Sequence, residues 1–235
     1  MTQYPYRIEP NSEIGFTVIF DEPVSAALSQ YIIGLADSFR AIWPVGTIET
    51  IPAYNSLTVL SYSLDKSQCL DEMRRLISDF ESKGLKETKC IDVPVCYHKS
   101  LGIDLLSFAD RVNLSVDEVI KRHSHPEYLV HMLGFLPGFL YLGGLDETLH
   151  CPRKLTPVTQ VPAGSVGIGG SQTGVYPVAS PAGWHILGQT PMQFFNPDAE
   201  QPFAVKPLDT IRFIPISLED FNQRKQKNRV TEKPC

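Results

Sequence analysis

Between His131 and Gly174 the chain carries two segments in which glycine, proline and aromatic residues crowd together, and they constrain the fold more than anything else in the sequence. The first runs Gly134-Phe135-Leu136-Pro137-Gly138-Phe139-Leu140-Tyr141-Leu142-Gly143-Gly144. The second, Val161-Pro162-Ala163-Gly164-Ser165-Val166-Gly167-Ile168-Gly169-Gly170-Ser171-Gln172-Thr173-Gly174, alternates β-branched residues with glycine. Neither can form a helix of any length. Glycine reaches backbone dihedrals closed to other residues and lets a neighbour come close to the main chain, so these segments predict short strands, tight crossings and a shaped, partly apolar recess.

The chain before residue 94 has a different texture. Ile14, Phe16, Val18 and Phe20 recur at period two, and Asp21-Glu22-Pro23 ends that strand. Val24, Leu28, Tyr31, Ile32, Leu35 and Phe39 then share one helical face, closed by Pro44 and Gly46. Strands are predicted over Thr47–Ala53 and Ser56–Tyr62, and a second amphipathic helix from about Ser67 to Lys83, with Gly84 as its stop. A strand over Thr88–Pro94 would complete a split βαβ, ferredoxin-like unit. Beyond it come two short helices, Asp104–Val112 and Val116–His123, the second opened by Ser115 with Glu118 three residues on. From Tyr128 to the last strand, Thr210–Pro215, short apolar runs punctuated by Gly and Pro indicate a β-barrel or sandwich. The expected class is α+β, with residues 1–88 as a ferredoxin-like domain, 89–218 as the β domain and 219–235 as a polar tail.

Composition removes several function classes. A formal charge of -5 argues against a broad nucleic-acid surface, which needs clustered Lys and Arg; the one basic cluster, Arg224–Arg229, is terminal and reads as a solvated tail. No apolar run is long enough to span a bilayer, and the N-terminus lacks the pattern of a secretory signal. Five cysteines without Cys-x-x-Cys spacing indicate neither a disulfide framework nor a zinc site. The cytoplasm is the expected compartment, with no membrane or nucleic-acid partner.

The glycine segments fail the nucleotide motifs. No lysine follows a glycine between Gly164 and Gly174, as a P-loop requires, and Gln172 stands where the dinucleotide fingerprint needs its third glycine. Their backbone N–H groups could still cradle a carbonyl or anionic oxygen, although each glycine alone reads more simply as space for a strand crossing. His123, His125 and His131 lie close in sequence, but their spacing does not suit a shared metal, and no metal is expected. His123 remains a candidate acid–base group beside a plain helix-end role. Ser165 does not sit in Gly-x-Ser-x-Gly, because Ala163 takes the first glycine's place. Ser171, Gln172 and Thr173 offer neutral groups suited to orienting an amide or carboxylate. Phe135, Phe139, Tyr141, Tyr176 and Trp184, held among prolines, read as core packing or as a rigid rim.

The phrases Leu133–Leu142, Val161–Val166 and Gln172–Pro177 through Gly183-Trp184, with Val93–Tyr97, Gly102–Leu105 and Val119–Ser124 upstream, resemble the allophanate hydrolase subunit 1 family, over most of the chain. That family includes the kinase inhibitor KipI and the B subunit of bacterial ATP-dependent 5-oxoprolinase. The resemblance implies a ferredoxin-like domain followed by a cyclophilin-like β-barrel. It implies the opening of 5-oxo-L-proline to L-glutamate, driven by ATP used by an assembled complex with a KipA-like C subunit and an A subunit, the chain being inactive alone. The alternative it offers is inhibition of a sensor histidine kinase. Isomerase activity, from the cyclophilin likeness alone, has no residue set behind it. Carried over by position, His123, Ser165 and Gln172 are the candidate catalytic residues. Gly134, Phe135, Pro137, Gly138, Phe139, Tyr141, Pro162, Gly164, Thr173, Tyr176 and Trp184 are the candidates for binding a cyclic amide. The chain departs from the family pattern at Ala182 and Leu187 and, with the loss of two cations, at Val158 and Gln189, where arginine is common.

Overall fold

A computed structural model describes residues 4–43, 46–62, 65–81 and 88–231. The chain divides into two compact units, Met1–Glu87 and Thr88–Cys235. Pro44, Lys83, Gly84 and Cys235 lie outside the described residues.

The first unit contains β1 (Tyr6–Ser12), β2 (Gly15–Phe20), α1 (Ala26–Ile42), β3 (Ile48–Pro52), β4 (Ser56–Ser61) and α2 (Lys66–Asp79). Its antiparallel sheet has the order β1-β2-β4-β3. Alternation works as the sequence predicts: Phe16, Val18 and Phe20 of β2 and Leu57 and Val59 of β4 turn inward, against Leu28, Tyr31, Ile32, Leu35 and Phe39 of α1 and Met73 and Ile77 of α2. Val24, predicted on the α1 face, is exposed, because the helix starts after Ser25, whose Oγ accepts from Leu28 N at 3.1 Å. Asp65 caps α2 in the same way.

The predicted fourth strand does not join this sheet. Residues 90–95 form β5 (Cys90–Val95), which pairs in parallel with a strand of the second unit, Cys90 opposite Thr210. The place beside β2 is taken by β1, Tyr6 opposite Phe20. A hairpin partner is close in the chain and costs little loop entropy, and β1 is an edge strand that tolerates Pro10 and keeps only Tyr6 and Ile8 partly buried. Its weak apolar alternation hid it from sequence reading.

The second unit continues from β5 with α3 (Leu105–Arg111), α4 (Val116–Ser124), β6 (Glu127–Leu133), β7 (Leu140–Gly143), β8 (Val158–Val161), β9 (Ser165–Gly169), β10 (Gln172–Val175), β11 (Ser180–Ala182), β12 (His185–Gln189), β13 (Thr210–Pro215) and α5 (Leu218–Thr231). Seven strands form one curled sheet, order β12-β9-β10-β7-β6-β13-β5, and β8 pairs β11 separately. The sheet's two outer strands meet: Cys96 N donates to Gln189 O at 2.9 Å and Gln189 N to Cys96 O at 3.1 Å. Closure satisfies backbone groups that an open edge would expose. The interior is filled by Val93, Val95, Phe108, Val130, Leu142, Ile168 and Phe213, among others. Of the segment predicted as a polar tail, the described residues 219–231 belong to α5, anchored by the buried Phe221.

One polar tie holds α3 to the sheet. The Asp104 carboxylate accepts from Ile186 N at 2.7 Å and from Lys154 Nζ at 2.5 Å, with both side chains more than four-fifths buried. Asp104→Ala would leave a backbone N–H and an ammonium poorly paired, so a loss of roughly 2–3 kcal/mol is expected. Urea denaturation measures it; a loss below about 0.5 kcal/mol would place the pair in solvent-like surroundings.

Candidate functional site

The glycine–aromatic segments do meet in space, side by side in the curled sheet. β7 pairs β10 with Tyr141 opposite Gly174, and β10 pairs β9 with Gly174 opposite Gly167. Their glycines are where large rings pass. A Cβ on Gly169 would stand 2.5 Å from the Trp184 ring, one on Gly174 2.4 Å from Leu140 O and 3.0 Å from Trp184, and one on Gly143 2.0 Å from the His131 imidazole. Phe139 sits at the centre, with Tyr141, Tyr176, Trp184 and Phe135 around it at ring separations of 4.7, 4.9, 5.4 and 5.6 Å, mostly edge to face. Arg153 lies over Trp184 at 5.8 Å. Burial pushes the Tyr176 hydroxyl up to about 12. Phe139, Tyr176 and Trp184 are therefore inside the molecule, whereas Phe135, Pro137 and Pro162 are on its surface.

His123 lies deeper still. Its ring has no exposure, stacks on Phe213 at 4.8 Å, and uses both nitrogens: Nδ1 to Tyr97 Oη at 2.7 Å and Nε2 to Thr173 Oγ1 at 2.8 Å. Thr173 Oγ1 donates onward to Gly167 O at 3.1 Å. That fixes the direction of the chain of bonds, since Thr173 spends its proton on the carbonyl and must accept from Nε2–H, leaving Nδ1 to accept from Tyr97. The imidazole is neutral, and burial lowers its pKa to about 3. A ring with both nitrogens committed inside the core suits positioning, not proton exchange with a ligand. The signal was present: Val116, Val119, Ile120 and His123 share one helical face.

The other candidate catalytic groups are apart. Ser165 is buried, with its Oγ donating to Pro162 O at 2.7 Å, and it opposes Gln189 on β12. Gln172 is at the far end of the β9–β10 hairpin, opposite Gly169, about 13 Å along the strand at ~3.3 Å per residue. Of the predicted set, Thr173 is hydrogen-bonded to His123. Among the described residues, no three His, Cys, Asp or Glu side chains are grouped to hold a metal, and no helix is long and apolar enough to cross a membrane.

Among the described residues, two recesses open beside the segments. The smaller, about 270 Å³, is lined by Gly134, Phe135, Pro137 and Gly138 with Phe203; Phe135 stands on its rim in left-handed backbone, φ 63°, a conformation that costs a non-glycine residue energy. The larger, about 420 Å³, lies where Gly164 crosses β12 and includes Gln189, Thr190, Met192 and Lys225. Gly164 has φ +82° and its absent Cβ would be 2.2 Å from Thr190 O. Thr190 and Met192 carried no signal in the sequence; Gln189 did, as a departure from the family pattern, and Lys225 belongs to the basic cluster read there as a solvated tail but lines this recess.

Known proteins place this geometry. The family described as Carboxyltransferase domain, subdomain C and D matches residues 6–205. The chain belongs to this family. A relative from Escherichia coli O157:H7, named as the B subunit of 5-oxoprolinase, is 42% identical over 207 residues, covering 86% of this chain and 94% of its own. The solved structure of TTHA0988 matches with a TM-score of 0.76 at 34% identity over 86% of this chain, which spans 40% of that longer chain. Urea carboxylase from Kluyveromyces lactis shares the fold, with a TM-score of 0.80 at 17% identity over 95% of this chain and 23% of that one. In this member of the carboxyltransferase C and D family, β13 and α5 lie beyond the matched segment, so Lys225 comes to the larger recess from outside it. Of the two positions that lose a cation, Val158 packs against the Trp184 cluster on β8, and Gln189 is buried in the larger recess, with its Nε2 donating to Ala163 O at 2.6 Å.

Proposed function

We propose that this chain is one component of a 5-oxoprolinase, which opens 5-oxo-L-proline to L-glutamate at the expense of ATP together with a C subunit and an A subunit in the cytoplasm. One observation carries the reading: identity of 42% to the B subunit of a 5-oxoprolinase across nearly the whole of both chains. The interior supports a component that does not work alone. Ser165 and His123 spend their hydrogen-bonding groups within the chain, and no glycine loop carries the lysine that a nucleotide phosphate needs. A lactam is a stable amide, so coupling its hydrolysis to ATP is chemically reasonable. We read the closed sheet of the second unit as the cyclophilin-like barrel of the family. Among the described residues no surface feature favours kinase inhibition.

The purified chain is expected neither to hydrolyse ATP nor to consume 5-oxoproline, whereas the chain mixed with its C and A subunits does both, read as glutamate and phosphate release. A reconstituted mixture without 5-oxoproline-dependent ATP hydrolysis would overturn the assignment.

A further inference from the structure

The larger recess has the makings of a ligand site of which the sequence's candidates included Gly164 but none of the polar groups on its lining. At about 420 Å³ it falls in the range of roughly 300–1,000 Å³ typical of small-molecule sites. Its floor is tied by two main-chain bonds and one from a side chain: Gly164 N donates to Tyr176 O at 2.7 Å, Thr190 N to Gly164 O at 2.8 Å, and Gln189 Nε2 to Ala163 O at 2.6 Å. Besides the exposed Gln193, three polar side chains on its lining are not fully used. Gln189 is fixed through its Nε2, and its Oε1 receives no bond from a described group. Thr190 Oγ1 accepts from Met192 N at 3.2 Å, which leaves its proton to donate. Lys225, half-buried on α5 with its ammonium over the Phe221 ring, makes no ion pair among the described residues and is the one charged group on a lining without Asp or Glu.

We propose that this recess binds a small acid bearing an amide, with Lys225 holding the carboxylate while Gln189 Oε1 accepts the amide N–H and the Thr190 hydroxyl donates to the amide carbonyl. A compact cation facing apolar walls favours one carboxylate, and a donor beside an acceptor on the floor matches the two edges of an amide. A cyclic amide such as 5-oxo-L-proline has that pattern, so the inference rests on the proposed function and deepens it. The smaller recess is a poorer candidate, because its lining is apolar and carries no charge. The buried Cys151–His185 pair is also set aside: His185 Nε2 is 3.0 Å from Pro152 O as well as 3.6 Å from the sulfur, so its proton is directed to the carbonyl and that nitrogen cannot take one from the thiol.

The test titrates the full ¹⁵N-labelled chain with 5-oxo-L-proline and, separately, with 2-pyrrolidinone, the same lactam without the carboxylate. Expected are shifts in the Gly164 and Thr190 amides and the Gln189 carboxamide, with 2-pyrrolidinone binding about ten-fold or more weakly, as one charge-assisted contact is lost. Lys225→Gln should weaken 5-oxoproline by a similar factor and leave 2-pyrrolidinone unchanged, whereas Gln189→Leu should weaken both. Shifts that map elsewhere, no binding by either compound, or equal affinity in Lys225→Gln would each overturn the site. The reconstituted complex separates this from the enzyme reading. An active complex whose KM for 5-oxoproline is unmoved by Lys225→Gln removes the site and keeps the enzyme; Lys225-dependent binding of 5-oxoproline to a chain whose complex is inactive keeps the site and removes the enzyme.

Discussion

Replacing His123 with alanine is expected to destabilise the second unit by roughly 3–5 kcal/mol, the cost of emptying a buried ring site while leaving buried hydroxyls short of a partner. The ring removed is the one stacked on Phe213, and the stranded hydroxyls are those of Tyr97 and Thr173. Because a loss of that size is a large fraction of a domain's stability, His123→Phe is the informative companion: it keeps volume and stacking but leaves Tyr97 Oη without its acceptor. Adding Tyr97→Phe to it should recover part of the loss, since removing both partners of a buried bond costs less than removing one. Urea denaturation followed by circular dichroism measures each. Near-wild-type stability in His123→Ala would show that the ring is not a keystone and reopen its candidacy as an acid–base group.

The same residue predicts a pH dependence. Burial holds the folded pKa at about 3, against the usual 6.5. Above pH 6.5 the ring is neutral in both states and its packing contributes in full. As pH falls from 6.5 toward 3 the unfolded chain takes up a proton that the folded chain refuses, and stability declines by at most about 1.4 kcal/mol per pH unit. The stability gap between wild type and His123→Phe should therefore narrow over that window. A constant gap from pH 7 to pH 4 would contradict a neutral, sealed imidazole.

The second large effect concerns the glycines. Gly169→Ala places a methyl 2.5 Å from the body of the Trp184 indole, and Gly174→Ala places one 2.4 Å from a backbone oxygen, Leu140 O. Each is expected to cost about 2–3 kcal/mol, in the range of overpacked cores. They should differ in their response to Trp184→Leu. Shrinking the indole removes the obstruction at Gly169, so the pair should cost at least ~1 kcal/mol less than the sum of its parts. At Gly174 the obstruction is main chain and cannot be trimmed, so that pair should be close to additive. Equal additivity in both cycles, measured by urea denaturation, would mean that the ring does not rest on Gly169.

How much of this could be read in advance depends on the range of the interaction. The α1 and α2 faces were visible because Leu28, Tyr31, Ile32 and Phe39, like Met73 and Ile77, repeat at the helical period and meet one apolar surface. Ser115 capped α4 as its spacing to Glu118 suggested, the Glu118 N–H donating to Ser115 Oγ at 3.2 Å. The end of β2 and the strand 210–215 were also visible from alternation and Pro/Gly punctuation. The partner of β5 was not, because Asp92 and Arg212 lie 120 residues apart and nothing local to residues 90–95 distinguishes one sheet from another. Phe139, Tyr176 and Trp184, which the sequence left open between core packing and a rim, are core, while Thr190, with unremarkable sequence surroundings, and Lys225, read as part of a solvated tail, line the larger recess.

The sequence by itself determined α1 to α4, the strands β2 to β5 and β13, and the family to which the chain is similar, because these follow from local period, backbone freedom and motif order. Tertiary structure decided which strand pairs with which, that Cys96 and Gln189 close the sheet, and that His123 is neutral while Lys225 stands without an ion pair among the described residues, beside an open recess. The reason is physical. A periodic pattern states that a face will be covered but not by what, and a side chain's charge state and exposure are set by whatever the folded chain brings against it.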